Sequence, residues 1–119
     1  MGTGSGYRDL VVWQEAMNLA VLVYNVSAEF PRQETYGLTA QIRRAAVSIP
    51  SNIAEGAGRN SSRELHQFLG FSAGSLAELE TQLELAERLN YLRMDTSTAL
   101  QVKRVGRLLQ AFRRSCDTS

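Results

Sequence analysis

The sequence predicts an all-α domain, an antiparallel up-down-up-down four-helix bundle. Apolar residues recur three and four apart in four successive stretches, and no stretch shows the strict alternation of a half-buried strand. The connections between these stretches are short, which favours antiparallel neighbours. At 119 residues, with 44% hydrophobic and 21% charged residues, the chain has the length and make-up of one globular domain.

The opening MGTGSG is rich in glycine and serine and reads as a flexible tail over residues 1–6, leaving 7–116 for the bundle and 117–119 as a second tail. Helix one is expected over residues 7–30, where Val12, Ala16, Leu19, Ala20, Val23 and Val26 keep helical spacing until Pro31 stops the run. Helix two follows a connection over 31–35. It carries Leu38, Ile42, Ala45, Ala46, Ile49 and Ile53 before Gly56 and Gly58 end it. Ser61 followed by Glu64 has capping-box spacing, so helix three opens there. Its stripe runs through Leu65, Phe68, Leu69, Ser72, Leu76, Leu79, Leu83 and Ala86 to about Asn90. Asp95 or Thr96 can cap helix four, whose Thr98, Val102, Val105, Leu109, Phe112 and Cys116 alternate three and four apart.

Pro50 lies inside helix two. It has no N–H to offer the Ala46 carbonyl, at a cost of about 3 kcal/mol in a helix interior. Either the helix ends near Val47 and restarts with Ser48 as a cap, or it is one helix kinked at the proline. The apolar stripe keeps its phase from Ile42 to Ile53, which favours the kink. Ser48, Ser51, Asn52 and Glu55 share one face of this helix, with Arg44 one turn earlier. That face is open to two readings, a solvated surface or a polar contact with another chain.

Helix three carries a line of small residues, Gly70, Gly74 and Ala77. Each internal glycine costs about 1 kcal/mol relative to alanine, so the line predicts a close approach by a neighbouring backbone. On helix one, Val11, Val21 and Leu22 project within or beside the polar strip of Gln14, Asn18, Asn25 and Glu29. A solitary bundle leaves them wet. Burying one valine or leucine is worth roughly 1.5–3 kcal/mol, so these positions predict a homo-oligomer.

Several classes of chemistry have no support. One cysteine, Cys116, and one histidine, His66, provide neither an internal disulfide nor a metal cage, and no cofactor motif is present. Gly56-Ala57-Gly58 follows no strand and precedes no Lys-Ser or Lys-Thr, so it reads as a helix stop rather than a phosphate loop. Glu80, Glu84 and Glu87 form a stripe that pairs most simply with Arg88 and helix four. No apolar run approaches the roughly 20 residues that span a bilayer, and the opening lacks the basic patch and apolar core of a signal peptide. The expectation is a cytoplasmic, non-enzymatic protein with no membrane partner.

The net charge of +1 gives no global attraction to nucleic acid, so any such activity depends on charge placement. In an up-down-up-down bundle Arg8, Arg59, Arg63, Arg113 and Arg114 gather at one end, while Lys103 and Arg107 fall near Glu78 and Glu80. Oligomerisation repeats that end and makes an arginine ring suited to phosphate backbones. The competing account is neutralisation by Asp9, Glu55, Glu64 and Asp117.

With QIRRAAVSIPSNIAEGAGR (residues 41–59), GSLAELETQLELAERLNYL (74–92) and YRDLVVWQEAM (7–17), the chain resembles the four-helix-bundle family associated with 23S rRNA intervening sequences. The resemblance implies an antiparallel four-helix bundle and a homopentameric ring, and it implies no catalytic residues. The interface expected from the residue pattern itself is Val11, Val21 and Leu22 of helix one and, where the polar face of helix two meets another chain, Arg44, Ser48, Asn52 and Glu55. A related branch, the retroelement accessory proteins, is strongly basic and binds nucleic acid and reverse transcriptase; this chain departs from it in being nearly neutral. The expected role is a scaffold or adaptor for RNA or an RNA-processing protein, the alternative a structural interaction module without nucleic acid.

Overall fold

The computed structural model describes residues 6–117. The tails expected over 1–6 and 117–119 fall mostly outside the described residues, but Gly6 belongs to a 3-10 turn and Asp117 closes the last helix. The described residues form four α-helices, α1 (Val11–Ser27), α2 (Leu38–Ala57), α3 (Ser62–Arg88) and α4 (Thr96–Asp117), with 3-10 turns at Gly6–Asp9 and Arg32–Glu34 and no strand. Around the core, α1 touches α2 and α4, and α3 touches α2 and α4.

Helix one is shorter than its periodicity predicts. Leu10 is extended, with ψ 125°, so the chain before it forms a separate 3-10 turn. At the other end Phe30 precedes Pro31, a position that disfavours helical backbone, and the helix stops at Ser27. The buried stripe is nonetheless as expected: Val12, Ala16, Leu19, Ala20 and Val23 face the core.

Helix α2 runs unbroken through Pro50, which is buried, so the chain neither ends near Val47 nor restarts at Ser48. Ile42, Ala45, Ala46, Ile49 and Ile53 form its core stripe on both sides of the proline. Beside it the Ser72 hydroxyl of α3 donates to the Ile49 carbonyl at 2.8 Å. The start of α2 is capped from outside the helix. Glu34 Oε1 accepts from the Leu38 backbone N–H at 3.0 Å, and Gly37 leaves room for that carboxylate, since a Cβ there would sit 2.8 Å from it.

Ser61 Oγ accepts from the Glu64 backbone N–H at 3.0 Å, the cap that the spacing predicts. Helix α3 ends at Arg88 rather than Asn90. Asn90 adopts a left-handed conformation, φ 64°, and the Tyr91 N–H returns to the Ala86 carbonyl, closing the last turn. Asp95 caps α4: its Oδ1 accepts from the Thr98 N–H at 2.7 Å, and this bond holds the Asp95 pKa below its ordinary value.

The close approach of helices falls at a different glycine from the pair the sequence suggests. A Cβ on Gly74 would meet nothing within 4 Å, and one on Gly70 would meet only the Arg113 guanidinium at 3.5 Å. Gly56 is the crowded position, with Phe68 Cβ at 2.8 Å and Leu65 Cδ1 at 3.1 Å from its missing Cβ. It lies buried inside α2, one residue before the helix ends.

Candidate functional interface

Two stripes of apolar residues run along α1. The first is the core. The second, at Trp13, Met17, Val21 and Tyr24, follows the same three-and-four spacing on another face and borders an open groove of about 520 Å³ between α1 and α2. Val47 and Ala54 of α2 form the opposite wall. Met17, Val21, Tyr24 and Val47 are each more than 40% exposed. A stripe of this regularity is distinct from the scattered exposed leucines of an ordinary surface.

The interface residues expected from sequence divide across this geometry. Val21 lines the groove and is 58% exposed; Val11 is also exposed, while Leu22 is half-buried. Sequence reasoning missed Met17, Tyr24 and Val47, although the spacing of 13, 17, 21 and 24 was available as a signal. On α2 part of the polar line is hydrogen-bonded within the chain. Asn52 Nδ2 donates to the Ser48 carbonyl at 2.9 Å and to Ser48 Oγ at 3.0 Å, and Ser75 of α3 donates to Ser48 Oγ at 2.9 Å. Arg44 is exposed, and Glu55 forms an ion pair with Arg59 at 2.7 Å.

The five arginines expected at one end of the bundle have different neighbours. Arg8 lies against the Tyr7 ring, and Arg59 combines its pairing to Glu55 with a position 4.9 Å from the Phe68 ring centroid. Arg113 approaches Gly70, and its Nε is buried without a hydrogen-bond partner. Phe68 and Gly70 are two residues apart on α3, about 200° around the helix, so Arg59 and Arg113 lie on opposite flanks of α3. Arg63 and Arg114 are exposed.

Two carboxylates organise the helix connections. Glu34, which caps α2, also accepts from the Tyr91 hydroxyl at 2.8 Å, joining the α1–α2 connection to the α3–α4 connection. The Leu38 N–H first and the Tyr91 hydroxyl second lower the Glu34 pKa, and the same contact raises that of Tyr91. Glu15 of α1 accepts from Gln101 of α4 at 2.8 Å and lies 3.4 Å from Arg104 Nε; the Gln101 bond is the main cause of its lowered pKa. Arg88 pairs with Glu84 at 2.7 Å, as the stripe predicts.

Among the described residues no group of three or more His, Cys, Asp or Glu side chains is placed to hold a metal ion, and no described helix is long and apolar enough to cross a membrane. No curated protein matches the chain at a significant level. The family profile described as 23S rRNA-intervening sequence protein matches residues 8–111, from the end of the first 3-10 turn through most of α4. Because that match spans nearly the whole fold, including the α1–α2 groove and all four helices, the chain belongs to the 23S rRNA-intervening sequence protein family.

Proposed function

We propose that this protein is a non-enzymatic, cytoplasmic scaffold that works as a homo-oligomer, a five-membered ring as the family resemblance implies, and serves as an adaptor for RNA or an RNA-processing protein. In this reading the helices alternate in direction and α2 bends at Pro50. The pairing of Gly56 with Phe68, Ile49 with Ser72 and Ser48 with Ser75 agrees with opposite senses for α2 and α3.

The observation that carries the reading is the second apolar stripe of α1. Met17, Val21, Tyr24 and Val47 present a face that stays more than 40% exposed at each residue, although the Arg43 guanidinium of α2 lies 4.5 Å from the Tyr24 ring centroid. At roughly 1.5–3 kcal/mol for each large apolar side chain fully buried, a few such residues offset a substantial part of the cost of association. A protein organised in this way acts by presenting repeated surfaces.

A second reading, a structural module without nucleic acid, is favoured by one observation: Arg59 is already engaged by Glu55 and Phe68. Labelled RNA separates the two. The adaptor reading expects retardation at low salt that weakens steeply as salt rises and weakens further in the Arg63→Ala/Arg114→Ala protein. Absence of retardation at low salt removes RNA from the proposal and leaves the interaction module.

A further inference from the structure

We infer that the groove between α3 and α4 docks an acidic amphipathic helix of a partner protein. This face lies across the bundle from the α1–α2 groove, because α3 and α4 are the helices that meet on the far side of the core. It therefore stands or falls separately from the self-association reading.

The argument begins with charge. Between Thr96 and Cys116, α4 carries Lys103, Arg104, Arg107, Arg113 and Arg114 and no Asp or Glu. Arg104 turns to Glu15 of α1, whereas Lys103, Arg107 and Arg113 line an open trough of about 450 Å³ against α3. Glu80 is the one acid on its rim, and neither Lys103 nor Arg107 closes an ion pair among the described residues. The floor is apolar and made of small residues: Ala73 and Gly106 are half-buried at its surface, and the core side chains Leu76, Val102 and Leu109 lie beneath them, each less than 10% exposed. From Val102 to Arg113 the trough extends about 16 Å, or three turns of a docked helix.

A cationic rim over an apolar floor is complementary to a helix whose apolar stripe is flanked by carboxylates. RNA fits less well. No aromatic side chain lines the trough to stack a base, and an apolar floor gains nothing from a phosphate backbone. The groove also has a direction. It continues past Glu80 and Lys103 into a section bordered by Glu84, Glu87 and Arg88 that ends at Met94. The most acidic end of the partner therefore lies toward Arg113.

The test uses the full-length protein and a fluorescein-labelled helical peptide of about 15 residues, with leucines at three-and-four spacing flanked by glutamates. Fluorescence polarisation is expected to show saturable binding at low ionic strength. It should weaken at least about tenfold for Lys103→Glu/Arg107→Glu and less for Lys103→Gln/Arg107→Gln. Both residues are exposed, and circular dichroism checks that the variants remain folded. A control peptide with the same charge and serines in place of the leucines should bind at least about tenfold more weakly. Equal binding of the serine peptide, insensitivity to the charge reversal, or no binding overturns the proposal. Displacement of the peptide by an RNA whose own binding is lost in the charge-reversed protein also overturns it, and assigns the trough to nucleic acid.

Discussion

The same substitution at two glycines should change stability in opposite directions. At Gly56 an added methyl meets Phe68 Cβ at 2.8 Å, Leu65 Cδ1 at 3.1 Å and the Leu65 carbonyl oxygen at 3.4 Å. Phe68 Cβ is fixed to the α3 backbone, so relief requires α2 and α3 to separate. Overpacking of this kind costs roughly 1–3 kcal/mol, against a helix-propensity gain of about 1 kcal/mol. Gly56→Ala should thus destabilise by about 1 kcal/mol. At Gly74 no atom lies within 4 Å of the added methyl, so only the propensity gain remains and Gly74→Ala should stabilise by roughly 0.5–1 kcal/mol. The separation between the two proteins is about 2 kcal/mol, or a Tm difference of about 8 °C at this chain length. Urea and thermal unfolding followed by circular dichroism measure it. Similar stability changes for the two alanines would refute the packing argument at Gly56. A loss of stability in Gly74→Ala would show that a surface outside this chain packs against α3 at that glycine.

Other expectations follow from the caps. Asp95→Ala leaves the Thr98 N–H without its acceptor and should lower stability by about 1 kcal/mol, read as a shift in the urea midpoint at unchanged slope. Glu15, Glu34 and Asp95 have pKa values lowered in the folded chain, so they bind protons less readily than in the unfolded chain. Their contribution is complete above the ordinary carboxylate range and is lost as pH falls through the folded values. The urea midpoint should therefore drop on acidification below about pH 4.5, the drop being smaller for Glu34→Gln than for the parent protein. At Asn90 the left-handed backbone tolerates glycine and penalises branching, so Asn90→Gly should be nearly neutral and Asn90→Val destabilising by about 1 kcal/mol in the same assay.

Four helices were legible because periodicity records burial directly. Val12, Ala16, Leu19 and Val23, or Val102, Val105 and Leu109, are buried at the spacing that predicts them. Local caps were legible for the same reason, since Ser61 reaches Glu64 and Asp95 reaches Thr98 within three residues. Contacts distant in sequence were not. Glu34 and Tyr91 are 57 positions apart, and no spacing rule points from one to the other. The glycines illustrate the same limit, since composition shows that a glycine is present and only packing shows which one is crowded. On α2, Ser48 and Asn52 read equally well as a solvated line or a contact with another chain, and only the structure shows that Asn52 bonds to Ser48 and Ser48 to Ser75 of α3. The α1 stripe was half visible: Val21 stood out against polar neighbours, whereas Met17 and Tyr24 belonged to no stripe that the sequence reading singled out.

The measurement that bears most directly on the account is the mass of the protein in solution, by sedimentation equilibrium at micromolar concentration, for the parent and for Met17→Glu/Val21→Glu. An uncovered apolar face on α1 predicts several chains per particle for the parent, and a single folded chain with unchanged helical content once two carboxylates stand in the groove. A parent protein that sediments as one chain, or a doubly substituted protein that still assembles, contradicts the claim that this face joins identical copies.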